Sequence, residues 1–418
     1  MKVQGTRYKG QGAEIKTKNM IIRRKEFIQV GSLATASLMV PKFLKAFEGG
    51  TMVPQGNKVV VILQLSGGND GLNTVIPVRN DLYYKARPRL GIERTKALSL
   101  TDEAGLHPAL TGFRELYDDG SLSVLNNVGY PNPDRSHFRS MDIWHTASQS
   151  SEYWTTGWLG RYLDAQCHGC DKPTQAIELD DVLSLSLKGE NLKGIAVKDP
   201  RRLYGTANEK FFREVMKNHK DEKGEQPVDY LYKTMAETLS SADYIFKQSR
   251  MHPTNAIYPS TGLGNSLKTI ASLIYSDINT KVYYVSLGSF DTHINQDGQQ
   301  QRLFTEMNDA VKAFVKDLKA NNRFDDVLFF TFSEFGRRVA QNASNGTDHG
   351  TANNMFFISG GLKQKGLINE MPDLAALDDG DLKYKVDFKN AYATVLNKWL
   401  KADDKAILTQ QYDHLSFI

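Results

Sequence analysis

The run Lys58-Val59-Val60-Val61-Ile62-Leu63-Gln64-Leu65 is almost unbroken in apolar, β-branched residues. Successive strand residues face opposite sides of a sheet, so a run without polar alternation needs both faces covered. A parallel sheet sandwiched by helices meets that demand. The run stops at the glycine-dense turn Ser66-Gly67-Gly68-Asn69-Asp70-Gly71. Pro108–Tyr117 then reads as a helix, Leu122–Val128 as a strand, and Ser136–Trp144 as a second helix. The best-formed unit lies later. Lys281–Leu287 reads as a strand, Gln299–Lys319 as a helix striped with Leu303, Met307, Val311, Phe314, Val315 and Leu318, and Asp326–Phe332 as a strand. This is β-α-β, which predicts two parallel neighbouring strands joined by a right-handed crossover. Asn354–Ser359 reads as a further strand, and Phe388, Tyr392, Val395, Leu396 and Trp399 as the buried stripe of a C-terminal helix. The expected class is α/β, with a central mostly parallel sheet sandwiched by helices. The stretch from about 173 to 259 is richer in charge and reads as a helical insertion in a domain spanning 57–418.

Composition narrows the field. Of 418 residues, 40% are hydrophobic and 24% charged, which excludes a disordered, collagen-like or multi-span membrane chain. A net charge of +4 over this length gives no argument for nucleic acid. The charge is also unevenly placed. Residues 1–45 hold ten basic and two acidic side chains, leaving 42 basic and 46 acidic for the rest. Arg23-Arg24-Lys25 precedes the mildly apolar run Phe27–Val40, too short and too polar to span the ~30 Å core of a bilayer as a stable helix. A basic region before a short apolar one reads as an export signal. A surface amphipathic helix is the competing reading. Residues 1–50 are therefore expected to be an N-terminal extension with an export signal, making the protein periplasmic or otherwise exported. Cys167 and Cys170 are the only cysteines, and without a second ligand pair they argue against a zinc site there.

In open α/β sheets, ligands bind at the carboxyl ends of the strands. Asp70, Ser136, Asp291, His293 and Glu334 all follow predicted strands, while Asp348 and His349 lie in a loop leading into another. Carboxylates and imidazoles together suit a divalent metal, either zinc, calcium or magnesium. Two such ions can clamp the attacking and leaving oxygens of a phosphate or sulfate ester. Ser136, at a strand-to-helix turn, is the candidate nucleophile, with an N-cap role as the alternative. Arg135 and Arg337 are candidate partners for substrate oxygens through their forked donors. His137 and His145 are expected to pack against Trp144 and Phe138, and His107 to serve helix entry before Pro108. Tyr153, Trp154 and Trp158 could line a pocket or simply pack.

Leu65-Ser66-Gly67-Gly68-Asn69-Asp70-Gly71-Leu72-Asn73, Arg135-Ser136-His137-Phe138, Asp291-Thr292-His293, Ser333-Glu334-Phe335-Gly336-Arg337 and Gly346-Thr347-Asp348-His349-Gly350 together resemble an uncharacterised, typically Tat-exported bacterial family. It is known as domain of unknown function 1501 and placed in the alkaline phosphatase and sulfatase superfamily. Arg23-Arg24-Lys25-Glu26-Phe27-Ile28 likewise resembles a twin-arginine signal, which implies the Tat export machinery as a partner. The resemblance implies an alkaline phosphatase-like fold, with Asp70 as first-strand metal ligand and Ser136 as nucleophile. It implies Asp291, His293 and His349 as ligands of one ion, with Glu334 where the superfamily has an Asp-His pair for another. The implied activity is metal-dependent hydrolysis of an anionic ester. The missing histidine beside Glu334 favours the alternative, a catalytically inactive member acting as an extracytoplasmic binding or assembly protein.

Overall fold

The computed structural model describes residues 57–166, 174–210, 214, 241–276 and 278–418. The segment expected to be an export signal, and Cys167 and Cys170, lie outside the described residues. Among those residues, no helix is long and apolar enough to cross a membrane.

Among the described residues, twelve strands form two sheets. The large sheet holds β1 (Val59–Leu65), β5 (Leu122–Gly129), β6 (Ala176–Glu178), β7 (Ile195–Ala196), β8 (Val282–Leu287), β9 (Val327–Phe332), β10 (Asn353–Ile358), β11 (Gly366–Leu367) and β12 (Val386–Asp387). Its order is β11-β5-β10-β9-β1-β8-β6-β7, with β12 also pairing with β5. The small sheet pairs β4 (Ala104–Leu106) antiparallel with both β2 (Val75–Pro77) and β3 (Leu98–Ser99). In the large sheet every pairing is parallel except those of β10, which runs antiparallel between β5 and β9.

The apolar run that demanded two covered faces has them. Val59, Val61, Leu63 and Leu65 of β1 join one core, with helices α1 (Thr111–Asp118), α3 (Gly262–Tyr275) and α4 (Gln296–Ala320). Val60 and Ile62 join the opposite core, with α2 (His137–Thr146) and α5 (Phe388–Thr394). Each fully buried Val, Ile or Leu contributes roughly 1.5–3 kcal/mol of transfer free energy. The sheet is therefore a middle layer, and neither face is solvated.

Two expectations are corrected. The strands of the β-α-β unit, β8 and β9, are parallel but not neighbours: β1 lies between them and pairs with both. The crossover through α4 steps over one strand, because β1 is the segment apolar enough for the central position. The stretch 173–259 is not wholly a helical insertion either. Its first part supplies β6 and β7, which extend the sheet edge beyond β8. Those strands are two or three residues long, too short to show as periodicity in the sequence.

The topology gathers the loops. β1, β5, β8 and β9 end at the same edge of the sheet, and antiparallel β10 begins there. The loops carrying Asp70, His137, Asp291, Glu334 and His349 all leave or enter at that edge.

Candidate metal centre at the strand ends

The turn after β1 prepares the floor. Gly68 has φ of +75°, and a Cβ there would lie 2.3 Å from the Phe335 ring. Only glycine satisfies both constraints. The buried Phe335 ring then lies 4.8 Å, centroid to centroid, from the imidazoles of both His137 and His349. Asp291 arrives from β8 through Ser289, a non-glycine residue at φ of +78°. Held backbone strain of this kind clusters at functional sites.

Three imidazoles converge on the Asp291 carboxylate. His293 Nε2 lies 3.1 Å and His349 Nε2 3.2 Å from Asp291 Oδ1, and His137 Nε2 lies 3.6 Å from Oδ2. The Nε2 atoms of His293 and His349 are 2.9 Å apart. Each ring is fixed from behind through Nδ1. His137 meets Glu334 Oε1 at 2.8 Å, His293 meets Asp348 Oδ1 at 3.0 Å, and His349 meets the Arg135 carbonyl at 2.8 Å. A carbonyl or carboxylate acceptor places the proton on Nδ1, so each Nε2 presents a lone pair.

That arrangement suits a cation. Two imidazole lone pairs 2.9 Å apart repel unless a proton or a metal sits at them. His137 Nε2 is buried and has no hydrogen-bond partner. Among the described residues, the ligand atoms of His137, Asp291 and His349 form a group lying within 4.8 Å of one another. With metal–nitrogen bonds of about 2.0–2.1 Å, the edges of a tetrahedral site measure roughly 3.3 Å. The 3.2 and 3.6 Å separations of His349 and His137 from Asp291 fall around that value, and His293 stands beside this three-residue group. A hard, oxygen-loving ion such as calcium fits this nitrogen-rich set poorly.

Electrostatics agree with the geometry. Burial pushes the Asp291 carboxyl up, but the Arg337 guanidinium and the imidazoles outweigh it and hold it below its usual value. The hydrogen bond to Glu334 raises the His137 pKa against its partial burial. Burial lowers that of His349. The Asn342 amide, followed by His293, lowers that of Asp348.

The remaining candidates have other partners. Asp70 is buried, and its carboxylate takes a bidentate contact from Arg87, with Nη1–Oδ2 at 2.5 Å and Nη2–Oδ1 at 3.0 Å. It also accepts from the Leu72 N–H, as an N-cap, and from the Gln296 amide. Its lone pairs are engaged, so it is not placed as a ligand beside Asp291. Glu334 is buried behind His137 and also accepts the Gly67 N–H at 2.8 Å. It orients a histidine where a second ion was expected, and Asp348 does the same for His293. Arg337 is fully buried. Its donors meet the carbonyls of Gly67, Gly68, Phe290 and Thr347, and Asp291 Oδ1 at 2.6 Å. It ties the loops together and has no fork left for a substrate oxygen. Arg135 is part-exposed and ion-paired with buried Asp381. Ser136 is exposed at the N-cap of α2, and its side chain makes no cap bond.

His137 was expected to pack as a core residue, and this is the principal correction. Its neighbour Phe138 points to solvent, so no packing partner exists there. The available signal was positional: His137 follows a strand end, as His293 does. His145 does pack. It is buried beside Tyr284, its Nε2 3.1 Å from the tyrosine hydroxyl, and burial lowers its pKa to about 4. His107 Nδ1 accepts the Ala109 N–H at 3.1 Å, just before α1. Trp158 is core, Trp154 lies under Arg161, and Tyr153 is exposed.

Beside the cluster a cavity of about 1050 Å³ is lined by Tyr130, Arg135, Trp144, Phe335, Tyr384 and Lys385, among others.

Solved structures that this chain is similar to include the following three. The PsFucS1 sulfatase from Pseudoalteromonas sp. is 11% identical, with TM-score 0.39, covering 94% of this chain and 74% of that one. The lipoteichoic acid synthase LtaP from Listeria monocytogenes is 10% identical, with TM-score 0.33, covering 77% and 71%. A protein in the alkaline phosphatase superfamily from Vibrio parahaemolyticus is 11% identical, with TM-score 0.29, covering 80% and 67%. None of the curated proteins matches this chain. The family described as "Protein of unknown function (DUF1501)" matches residues 121–413, which takes in every loop of the cluster but not β1 or its turn. Matched over more than half of its length, the chain belongs to that family.

Proposed function

We propose that this protein is a metal-dependent hydrolase of phosphate or sulfate esters, exported through its N-terminal Tat-type signal. His137, Asp291 and His349 would hold one divalent ion, with His293 beside them at Asp291, and zinc suits such a nitrogen-rich set. One observation carries this reading: three imidazoles fixed through Nδ1 turn their Nε2 atoms toward one carboxylate, and that of His137 is buried without a hydrogen-bond partner. When bound, the ion would supply Lewis acidity and lower the pKa of an oxygen nucleophile.

The chain's own groups would do the rest. Ser136 presents a hydroxyl that is not spent on capping, next in sequence to His137. It stands at the N-terminus of a ten-residue helix, where the dipole favours an anionic ester. Arg135 holds the His349 Nδ1 through its carbonyl, and its guanidinium, paired with Asp381, would turn its remaining donors to the ester. Glu334 and Asp348 keep His137 and His293 in the tautomer that leaves Nε2 free.

Metal analysis of the purified protein, paired with turnover of aryl phosphate and aryl sulfate, tests the proposal. About one equivalent of zinc and turnover lost in Ser136→Ala are expected. No bound metal, or turnover untouched by Ser136→Ala, would overturn it. The second reading, an extracytoplasmic binding or assembly protein without turnover, is favoured by Arg87 neutralising Asp70. Bound zinc with no turnover of either ester would support it.

A further inference from the structure

A second cavity, of about 1090 Å³, lies at the same edge of the sheet, lined by Leu179 just after β6 and by Ser286 and Leu287 at the end of β8. Ligands of open α/β sheets collect at strand ends of this kind. Its lining holds five cationic side chains, Lys198, Arg201, Arg202, Arg250 and Lys268, and shares no residue with the metal cluster. Arg201 and Arg202 stand on the helix Pro200–Ala207 and Lys268 on α3, so the fold, not the local sequence, brings them to one space. The three carboxylates of the lining are turned to backbone. Asp180 accepts the Asp181 N–H at 2.6 Å, Asp199 the Arg201 N–H at 2.8 Å, and Glu306 the Leu263 N–H at 3.3 Å. Lys198 pairs with Asp181, and Lys247, three residues before Arg250, pairs with Asp243 at 2.6 Å. Among the described residues, Arg201, Arg202, Arg250 and Lys268 have no such carboxylate partner. The Asp181 carboxylate raises the Lys198 pKa, and Arg202 opposes it as a neighbouring like charge. Arg250 is braced over the Phe246 ring, 5.4 Å from guanidinium to centroid.

Like charges held around one concave space repel each other, and the protein wall concentrates their field. A bound anion relieves that repulsion, and guanidinium forks match the oxygens of phosphate and sulfate. From this cavity we infer a second anion site, separate from the metal cluster, that takes a ligand carrying several phosphate or sulfate charges. A singly charged ligand would leave most of the four unpaired cations uncompensated. The inference does not rest on the proposed function.

Calorimetry on the full chain with naphthalene-1,3,6-trisulfonate and naphthalene-1-sulfonate tests it, since the two share one aromatic body and neither contains an ester. At low salt the trisulfonate is expected to bind about tenfold more tightly, with the gap closing as salt rises. The double variant Arg201→Glu, Arg202→Glu should abolish that preference. Gly262→Asp should do the same by placing a carboxylate in the cavity wall. A Cβ at Gly262 meets nothing within 4 Å, and an acid suits the start of a helix, so this variant keeps its fold. Equal affinity for the two sulfonates, or a preference that survives both variants, overturns the inference. Turnover then separates the two sources of the anion. A lower KM for a naphthyl phosphate bearing two sulfonates than for plain naphthyl phosphate, lost in both variants, makes it a second group of the substrate. Equal KM values with the trisulfonate preference intact make it a free anion. Absent turnover bears on the hydrolase reading alone, whereas the sulfonate preference decides this one.

Discussion

The loops after β1 and β8 begin alike and end differently. Each leaves a buried parallel strand, turns through residues with positive φ (Gly67 and Gly68 in one, Ser289 in the other) and presents an aspartate. Asp70 has 1% side-chain exposure and gives both carboxylate oxygens to one wholly buried arginine, whereas Asp291 is 46% exposed, gives only Oδ1 to the buried Arg337 and also meets three imidazoles. An aspartate at a strand end is thus one sequence signal with two outcomes. The partner decides between them. Arg87 engages both oxygens of Asp70, while Arg337 leaves Asp291 Oδ2 to an imidazole, that of His137, whose Nε2 faces it.

The largest effect that sharpens this contrast is on stability. Asp70→Asn leaves the Arg87 charge buried and unpaired, which costs about 3–5 kcal/mol. Denaturant unfolding of the metal-free protein should read that loss, with bound metal per folded molecule unchanged. Full stability with lost metal would make Asp70 a ligand after all. Asp291→Asn and His349→Ala should behave in the opposite way. Removing a ligand should weaken metal binding by more than the ~100-fold ceiling usual for outer groups, and competition with a chelator measures it. Glu334→Gln is intermediate, with a loss of about 10–100-fold, since the amide still reaches His137 but no longer fixes its proton. A Glu334→Gln variant that binds metal as tightly as the parent would remove Glu334 from the site.

Over a single pH unit the effects are smaller, and they separate the two histidines of α2. Burial holds His145 at about 4, below its usual 6.5, so it folds in its neutral form. Its contribution is complete above pH 6.5 and falls by roughly 1.4 kcal/mol per pH unit as the pH drops from there toward 4. His145→Gln should flatten that part of the stability curve. His137 has the opposite sign. Glu334 holds its folded pKa above 6.5, so in the metal-free protein its contribution is complete below that value and fades as pH rises through the raised one. A metal must displace that proton, so metal affinity should rise with pH over the same window and lose that rise in His137→Ala.

Much of the frame was legible in the residues. The uniform apolarity of Val59–Leu65 requires a covered strand wherever it lies in the chain, and the stripe on Gln299–Lys319 requires a helix against it. The order of strands was not legible, because periodicity reports which faces are buried and says nothing of which strand is the neighbour. Asp291, His293 and His349 could be picked out as chemistry at strand ends. His137 could not be ranked above His145, since both stand on one helix within an aromatic-rich stretch, and the difference lies in Glu334, 197 residues away, against Tyr284, 139 residues away.

By itself, then, the sequence determined a sandwiched α/β sheet, polar loops at its strand ends, and a supply of carboxylates and imidazoles there. These follow from local patterns: period two, period 3.6 and turn chemistry act over a few residues. Only the tertiary structure decided which polar groups meet. Whether an aspartate becomes a buried ion pair or part of a cation site depends on partners brought in by chain closure. In a site of this kind those contacts set both protonation and geometry.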